Sequence, residues 1–127
     1  ERICALIGYT YALVDSTGVG DPVLEALQKG GGQYEGYKFS APSKQQLMEG
    51  LAVAIQRREI GFPDGVIRQE LEAFEYTYTA TGVHYSAPSG IHDDCVCALA
   101  LAVQGWRQRS GLTAAPTGPT RSSPWRM

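Results

Sequence analysis

The sequence has no long apolar run and no excess of charge of either sign. Its apolar segments fall short of the roughly 20 residues that a membrane-spanning helix needs, so we expect a soluble protein. The formal net charge is −2, which is not the general basic signature of a nucleic-acid-binding domain and does not exclude contact with DNA. Any such contact must come from a local patch or from metal ions that bridge phosphates.

Cysteine is scarce, and its spacing does not match the common cysteine sites. The three cysteines, Cys4, Cys95 and Cys97, are odd in number and lack the two-residue spacer of a zinc knuckle or redox pair. We expect core thiols in a reducing compartment. The Gly-Lys-Ser/Thr sequence of a nucleotide-phosphate loop is also missing, so the glycines at 18 and 20 do not predict a nucleotide site.

The composition that is present is that of one ordinary globular domain. The chain has 127 residues, of which 43% are hydrophobic and 19% charged, enough for a real core. Beyond about Arg109 the sequence turns to Gly, Thr, Ala, Pro and Ser, which cannot bury enough surface to become ordered. We therefore predict a domain over residues 1–109 and a flexible tail over 110–127. The chain opens at Glu1 with no Met and no visible signal peptide, which suggests a fragment.

Apolar periodicity and turn residues predict alternating helices and strands. The predicted helices are 1–8, 22–29 with Asp21 as N-cap, 43–58 starting at Ser43, 65–74 and 93–109. The predicted strands are 11–15, 34–39 and a hairpin of 76–79 and 83–85 turned at Thr81-Gly82. The last helix is apolar nearly all round and is predicted to be buried.

The first candidate site residue is Asp15, at the end of the first strand. The apolar run stops at this single acid, and a glycine-punctuated loop follows. Ligand sites of α/β folds lie beyond the carboxyl ends of strands, which makes Asp15 a candidate ligand. Capping of the loop through its side-chain oxygens explains the same residue equally well.

The second candidate site is the pair Asp93 and Asp94, where the last helix begins. Acids there are stabilised by free backbone N–H groups and the helix dipole, so simple N-capping is one interpretation. A single cap needs only one Asp, however, and carboxylates are the ligands that Mg²⁺ and Mn²⁺ prefer. His92 precedes the pair and is interpreted as a residue that orients a carboxylate or touches phosphate, with a purely local hydrogen-bonding role as the alternative.

Basic residues offer weaker hints. Lys44 and the pair Arg57 and Arg58 are candidate contacts for a DNA backbone, but each also fits an ordinary solvated helix residue, and we favour the latter.

Several segments of the chain, taken together, resemble the nuclease domain at the C-terminal end of the large terminase subunits of tailed phages, which are the DNA-packaging motor proteins. The matching segments run in family order over about residues 1–106 and are 14–23, 39–44, 70–71, 74–76, 85–88 and 90–94. The Asp-Ser-Thr-Gly-Val-Gly-Asp sequence that starts at Asp15 and the His-Asp-Asp sequence that starts at His92 are specific only in combination.

The resemblance implies an α/β fold of the ribonuclease H-like type, with a mixed sheet flanked by helices, and DNA cleavage at a two-metal site of Mg²⁺ or Mn²⁺. The family's metal ligands carry over onto Asp15, at the end of the fold's fourth strand, and onto Asp94 on the helix, with Asp93 as an alternate. The family's remaining essential acid lies on its first strand, in a segment that would precede Glu1. We therefore expect the first strands to be absent, and expect the isolated chain to bind metal weakly and cut DNA poorly or not at all.

The resemblance also implies a biological setting. Such enzymes cut concatemeric phage genomes, which are double-stranded DNA, in the cytoplasm of the bacterial host, together with a portal, a small terminase subunit and an ATPase domain. Two alternatives stay open. Another ribonuclease H-like nuclease, such as a resolvase, would use the same acids on branched DNA, and a non-catalytic assembly module would use them only as caps, with the tail as a tether.

Overall fold

The structure is a computed structural model that describes residues 11–18, 20–79, 82–87, 90 and 92–110. The chain divides into two compact units, Glu1–Ser40 and Ala41–Met127. In chain order the described elements are β1 (Tyr11–Asp15), α1 (Gly20–Lys29), β2 (Gln33–Tyr37), α2 (Ala41–Gln56), α3 (Val66–Ala73), β3 (Glu75–Thr79), β4 (Gly82–Ser86) and α4 (Asp94–Ser110). The predicted helix over 1–8 and the predicted tail, apart from Ser110, lie outside the described residues.

The first unit is a strand–helix–strand arrangement in which β1 and β2 pair in parallel. Asp15 lies opposite Tyr37 at the end of the ladder. Close packing depends on Gly36, where an added Cβ would lie 2.8 Å from both Leu24 Cδ2 and Ser16 Oγ. The missing side chain therefore lets α1 and the residue after β1 approach β2 closely.

The limits of α1 and β2 differ slightly from the prediction. Helix α1 begins at Gly20, so Asp21 lies in its first turn and is not the N-cap. An acid in the first turn still interacts favourably with the positive end of the helix dipole. The glycine stop is where it was predicted, with Gly31 at a φ of 86°, and β2 ends at Tyr37, two residues earlier than expected.

The core of the second unit lies between α2 and α4. Helix α2 packs on α4 and β4, and α3 packs on α4. The predicted core face of α2 is confirmed, because all of its members are buried: Leu47, Met48, Leu51, Ala54 and Ile55. Phe74 and Tyr85 stack beside it with ring centroids 6.4 Å apart.

Helix α2 begins two residues before the predicted start at Ser43. It starts at Ala41 and carries Pro42 in its first turn, where the missing proline N–H would have had no partner within the helix. The helix ends at Gln56, inside the predicted range, and the turn that follows places Arg58 in a left-handed conformation with a φ of 55°.

The hairpin is confirmed, with its turn displaced by one residue. Thr79 pairs with Gly82, so Gly82 belongs to β4 and the connection consists of residues 80 and 81, which lie outside the described residues. Helix α3 falls within the predicted 65–74. Its Leu71 is buried as expected, whereas Val66 is 61% exposed.

Helix α4 was predicted to be buried, and this is wrong for one of its faces. Val96 and Val103 are buried, while Ala98 and Ala102 are exposed and Trp106 is 44% exposed. Alanine is small enough to suit either environment, so an alanine-rich sequence does not distinguish a buried face from an exposed one. Neither α4 nor any other described helix is long and apolar enough to cross a membrane.

The two described cysteines are only partly buried. Cys95 and Cys97 lie on α4, are half-buried, and are not in a disulfide. The expectation of core thiols is therefore only partly met, and Cys4 lies outside the described residues.

Candidate functional site

Side chains from α2 and α3 contact the start of α4 in the second unit. The backbone carbonyl of Asp93 accepts a hydrogen bond of 2.9 Å from the N–H of Cys97, which makes Asp93 the N-cap residue. Asp94 is then the first residue of the helix. Both acids therefore stand at the positive end of the helix dipole, as the sequence predicted.

The side chain of Asp93 points to a lysine of α2. Lys44 Nζ donates a 3.0 Å hydrogen bond to Asp93 Oδ2, and the two side chains are only 27% and 29% exposed. The interpretation of Lys44 as a solvated residue is therefore wrong. Its ammonium group holds Asp93 in a partly buried ion pair.

Glu70 of α3 caps the helix. Its Oε2 atom accepts a hydrogen bond of 2.8 Å from the backbone N–H of Cys95 and one of 3.3 Å from that of Val96. These are the second and third helical residues, whose N–H groups an N-cap side chain normally satisfies. The side-chain capping that was the alternative role for Asp93 and Asp94 is therefore carried out by Glu70.

Asp94 is left open to solvent. Its side chain is 88% exposed and that of the neighbouring His92 is 86% exposed, with His92 Nδ1 3.9 Å from Asp94 Oδ2. That distance is too long for a hydrogen bond. The Asp94 carboxylate is thus placed where it can donate oxygen ligands to a cation from solution.

The thiol of Cys95, at the start of α4, has a shifted pKa. Its pKa is raised above the ordinary value, first by desolvation and then by the hydrogen bond and charge of Glu70 and the charge of Asp94. A cysteine at a helix N-terminus usually has a lowered pKa because the dipole favours the thiolate. Here desolvation first, and the two carboxylates after it, favour the neutral thiol.

Asp15 lies in the first unit, in a tight loop. Its Oδ1 accepts a 2.8 Å hydrogen bond from the N–H of Thr17, an Asx turn. Two further hydrogen bonds join the loop to the end of β2 and the residues after it. Ser16 N donates to the Tyr37 carbonyl at 3.0 Å, and Phe39 N donates to Thr17 Oγ1 at 2.9 Å. The predicted loop-capping role is therefore real, and it uses one of the two oxygens of an exposed carboxylate.

The carboxylate oxygens of these aspartates are the type of ligand atom that a hard divalent cation prefers. Mg²⁺ is usually held by one or two carboxylates, with water and substrate phosphate completing its shell. Among the described residues, no group of three or more His, Cys, Asp or Glu side chains is placed to hold a metal ion. The described acids of each unit can therefore supply one or two ligands, and not a closed protein cage.

Glu70 was not recognised as a site residue from the sequence. It lies on the short helix α3 and is 8% exposed, and its partner is a backbone N–H 25 residues further along the chain. A hydrogen bond to a distant backbone group leaves no periodicity or motif. The one available signal was that Glu70 falls in a segment, 70–71, that matches the terminase pattern.

Comparisons with known proteins give a consistent result. A family model, the Terminase RNaseH-like domain, matches residues 8–105. The proteins named "Terminase, large subunit" of Thermus phage G20c and Thermus virus P23-45 are each 35% identical over 107 residues, which is 82% of this chain and 22% of theirs. The solved Thermus Phage P74-26 Large Terminase Nuclease Domain is 31% identical with a TM-score of 0.70, over 84% of this chain and 57% of that one.

Proposed function

We propose, since this chain belongs to the Terminase RNaseH-like domain family, that it is part of a metal-dependent endonuclease that cuts double-stranded DNA. The terminase resemblance and the ribonuclease H-like fold class are confirmed by the family match and by the nuclease-domain structure. The observation that carries the proposal is the position of Asp94, an exposed carboxylate at the start of α4 that is not needed to cap the helix.

In this proposal Asp94 binds Mg²⁺ or Mn²⁺, with Asp93 beside it as a further ligand. The ligand role of Asp15, in the first unit, is proposed from the terminase resemblance alone. A bound ion of this kind activates an attacking water or stabilises the leaving oxygen of a phosphodiester. The chain's own groups have simpler tasks. Lys44 holds the Asp93 carboxylate at 3.0 Å. His92, whose Nδ1 lies 3.9 Å from Asp94 Oδ2, is proposed to orient the Asp94 carboxylate.

The wider role is proposed from the family match alone. The relatives are terminase large subunits, and the chain spans 22% of their length. We propose that its substrate is concatemeric phage DNA in the bacterial cytoplasm, and that a portal, a small terminase subunit and an ATPase domain are its assembly partners. The resolvase alternative has no observation in its favour, because the family match is to terminases.

The ligand role of Asp94 is tested by Mn²⁺ binding to this chain, measured from the electron paramagnetic resonance signal of free Mn²⁺. We expect weak binding that is lost in Asp94→Asn. Asp64→Asn is the matched control, because Asp64 lies in the same unit, is 85% exposed and pairs with Arg68. Equal Mn²⁺ binding by the wild type and Asp94→Asn would contradict the proposal.

The activity is tested by nicking of supercoiled plasmid DNA with Mn²⁺. This chain is compared with a version that includes any coding sequence upstream of Glu1. We expect weak or absent cleavage by the chain and stronger cleavage by the extended form. In both forms, Asp94→Asn should abolish whatever cleavage is seen. A preference for branched DNA would favour a resolvase, and absence of both cleavage and Mn²⁺ binding would favour an assembly module.

A further inference from the structure

We propose that Glu70 is a positioning residue, which caps α4 in place of the two aspartates and so keeps them available to a metal ion. The inference rests on the proposed function, because it concerns the same acids. It assigns a role in metal binding to a residue that we do not propose as a metal ligand.

The first argument is that the usual cap is present but not used. The first N–H groups of a helix have no partner within it, and an Asp at the N-cap normally accepts from the second or third of them. Asp93 is such a residue, yet the N–H groups of Cys95 and Val96 both donate to Glu70 Oε2. A single oxygen from another helix thus replaces the local cap.

The second argument is the burial of Glu70. Its side chain comes from α3 and is 8% exposed, and a carboxylate that is withdrawn from water needs compensating partners. The structure supplies two N–H donors to Glu70 Oε2 at the start of α4. This contact therefore fixes where the first turn of α4 lies relative to α3.

The third argument concerns the carboxylates of Asp93 and Asp94, which do not have to cap the helix because Glu70 does so. With its capping task removed, the Asp93 carboxylate pairs with Lys44, and Asp94 extends into solvent. Without Glu70, the unsatisfied N–H groups would attract the Asp93 carboxylate, because that is the ordinary N-cap geometry. Asp93 would then leave Lys44, and the turn that carries Asp94 would shift.

Four variants separate capping from charge and from general stability. Glu70→Gln keeps an oxygen acceptor of the same reach, and because one oxygen accepts both bonds, it can still cap. Glu70→Met removes the acceptor at similar volume, and Glu70→Asp keeps the charge but is shorter by one carbon–carbon bond. Glu72→Gln is the matched control on the same helix, where Glu72 is 61% exposed and pairs with Arg68.

Two measurements are made on each variant of this chain. The first is the Mn²⁺ dissociation constant, and the second is the amide hydrogen-exchange rate of Cys95 and Val96. Loss of a residue that orients metal ligands typically weakens metal affinity about 10- to 100-fold. We expect that loss in Glu70→Met and Glu70→Asp, with faster exchange at both amides. Glu70→Gln should stay close to the wild type in both measurements, and the control should not change.

The outcomes distinguish this inference from the proposed function. If Asp94→Asn abolishes Mn²⁺ binding while folded Glu70→Met binds as the wild type does, the positioning role is wrong and the proposed function stands. If Glu70→Gln loses as much affinity as Glu70→Asp, capping is not the cause and the inference is overturned; this comparison decides the matter even if Glu70→Met does not fold. If the wild type binds no Mn²⁺, both proposals fail.

Discussion

The ion pair between Arg107 of α4 and Glu59, three residues after the end of α2, provides a quantitative test of the second unit. Arg107 is buried, with 7% of its side chain exposed. Its Nη2 donates to Glu59 Oε2 at 2.9 Å and its Nη1 donates to the Gly50 carbonyl at 3.0 Å. The substitution Arg107→Met keeps the aliphatic volume and removes both hydrogen bonds, so it isolates their contribution.

The expected loss of stability follows from the burial of the two partners. Removing one member of a fully buried ion pair costs about 3–5 kcal/mol. Glu59 is 29% exposed and also lies 3.8 Å from Arg57, so water and Arg57 can partly replace the lost partner. We therefore expect a loss of about 2–3 kcal/mol for Arg107→Met, the range of one or two hydrogen bonds to charged groups. For a domain of about 100 residues this lowers Tm by about 10 °C.

The assay is urea denaturation at neutral pH followed by circular dichroism, with the m-value checked for a change. The matched control is Arg57→Met, because Arg57 contacts the same carboxylate but is 55% exposed. An exposed pair of this kind contributes about 0.2–1 kcal/mol, so the control should lose far less than Arg107→Met. Similar losses from the two variants would show that burial of the pair does not set its strength, and would refute the reasoning.

Two further predictions concern Gly36 and Cys95. Gly36→Ala should destabilise the first unit by about 1–3 kcal/mol through overpacking, because the added Cβ would lie 2.8 Å from two side-chain atoms. The control is Gly61→Ala, whose added Cβ would have no atom within 4 Å and which should have little effect in the same urea assay. Equal losses of stability in the two variants would contradict this prediction. The pKa of Cys95 is raised above 9.0 by desolvation and then by Glu70, so the thiol of the unfolded chain loses its proton at a lower pH than that of the folded chain. The protonated thiol therefore contributes to the stability of the folded chain below pH 9.0, and this contribution is lost as the pH rises from 9.0 through the folded-state pKa. With the other two cysteines replaced by serine, alkylation of Cys95 near pH 9.0 should be slower in the folded than in the unfolded chain and faster in Glu70→Gln than in the wild type; unchanged rates would count against the Glu70 contact.

Local pattern was a good guide wherever neighbouring residues decide the structure. The strand that ends at Asp15 was placed with its observed limits, and the buried face of α2 followed from its apolar spacing. Errors at element ends were small and had local causes. Pro42 is compatible with a first helical turn and so did not delay α2, and Gly20 begins α1 although glycine is a weak helix former.

The candidate acids of each unit could also be located from the sequence. A single acid after an apolar strand and a doubled acid before an apolar helix are local signals, and the structure places Asp15, Asp93 and Asp94 at those element ends. Their role as metal ligands stays a prediction. The sequence could not choose between capping and ligation, because that choice depends on which group satisfies the helix N–H donors.

The sequence by itself determined the order of the elements, the core face of α2 and the positions of the acids, since each depends on residues within a few positions of one another. Only the tertiary structure decided which polar groups pair. Glu70 reaches a backbone N–H 25 residues away, Lys44 reaches Asp93 across 49 residues, and Arg107 reaches Glu59 across 48. The physical reason is that a hydrogen bond depends on distance and direction in space, and chain folding sets these only after helices α2, α3 and α4 have packed together.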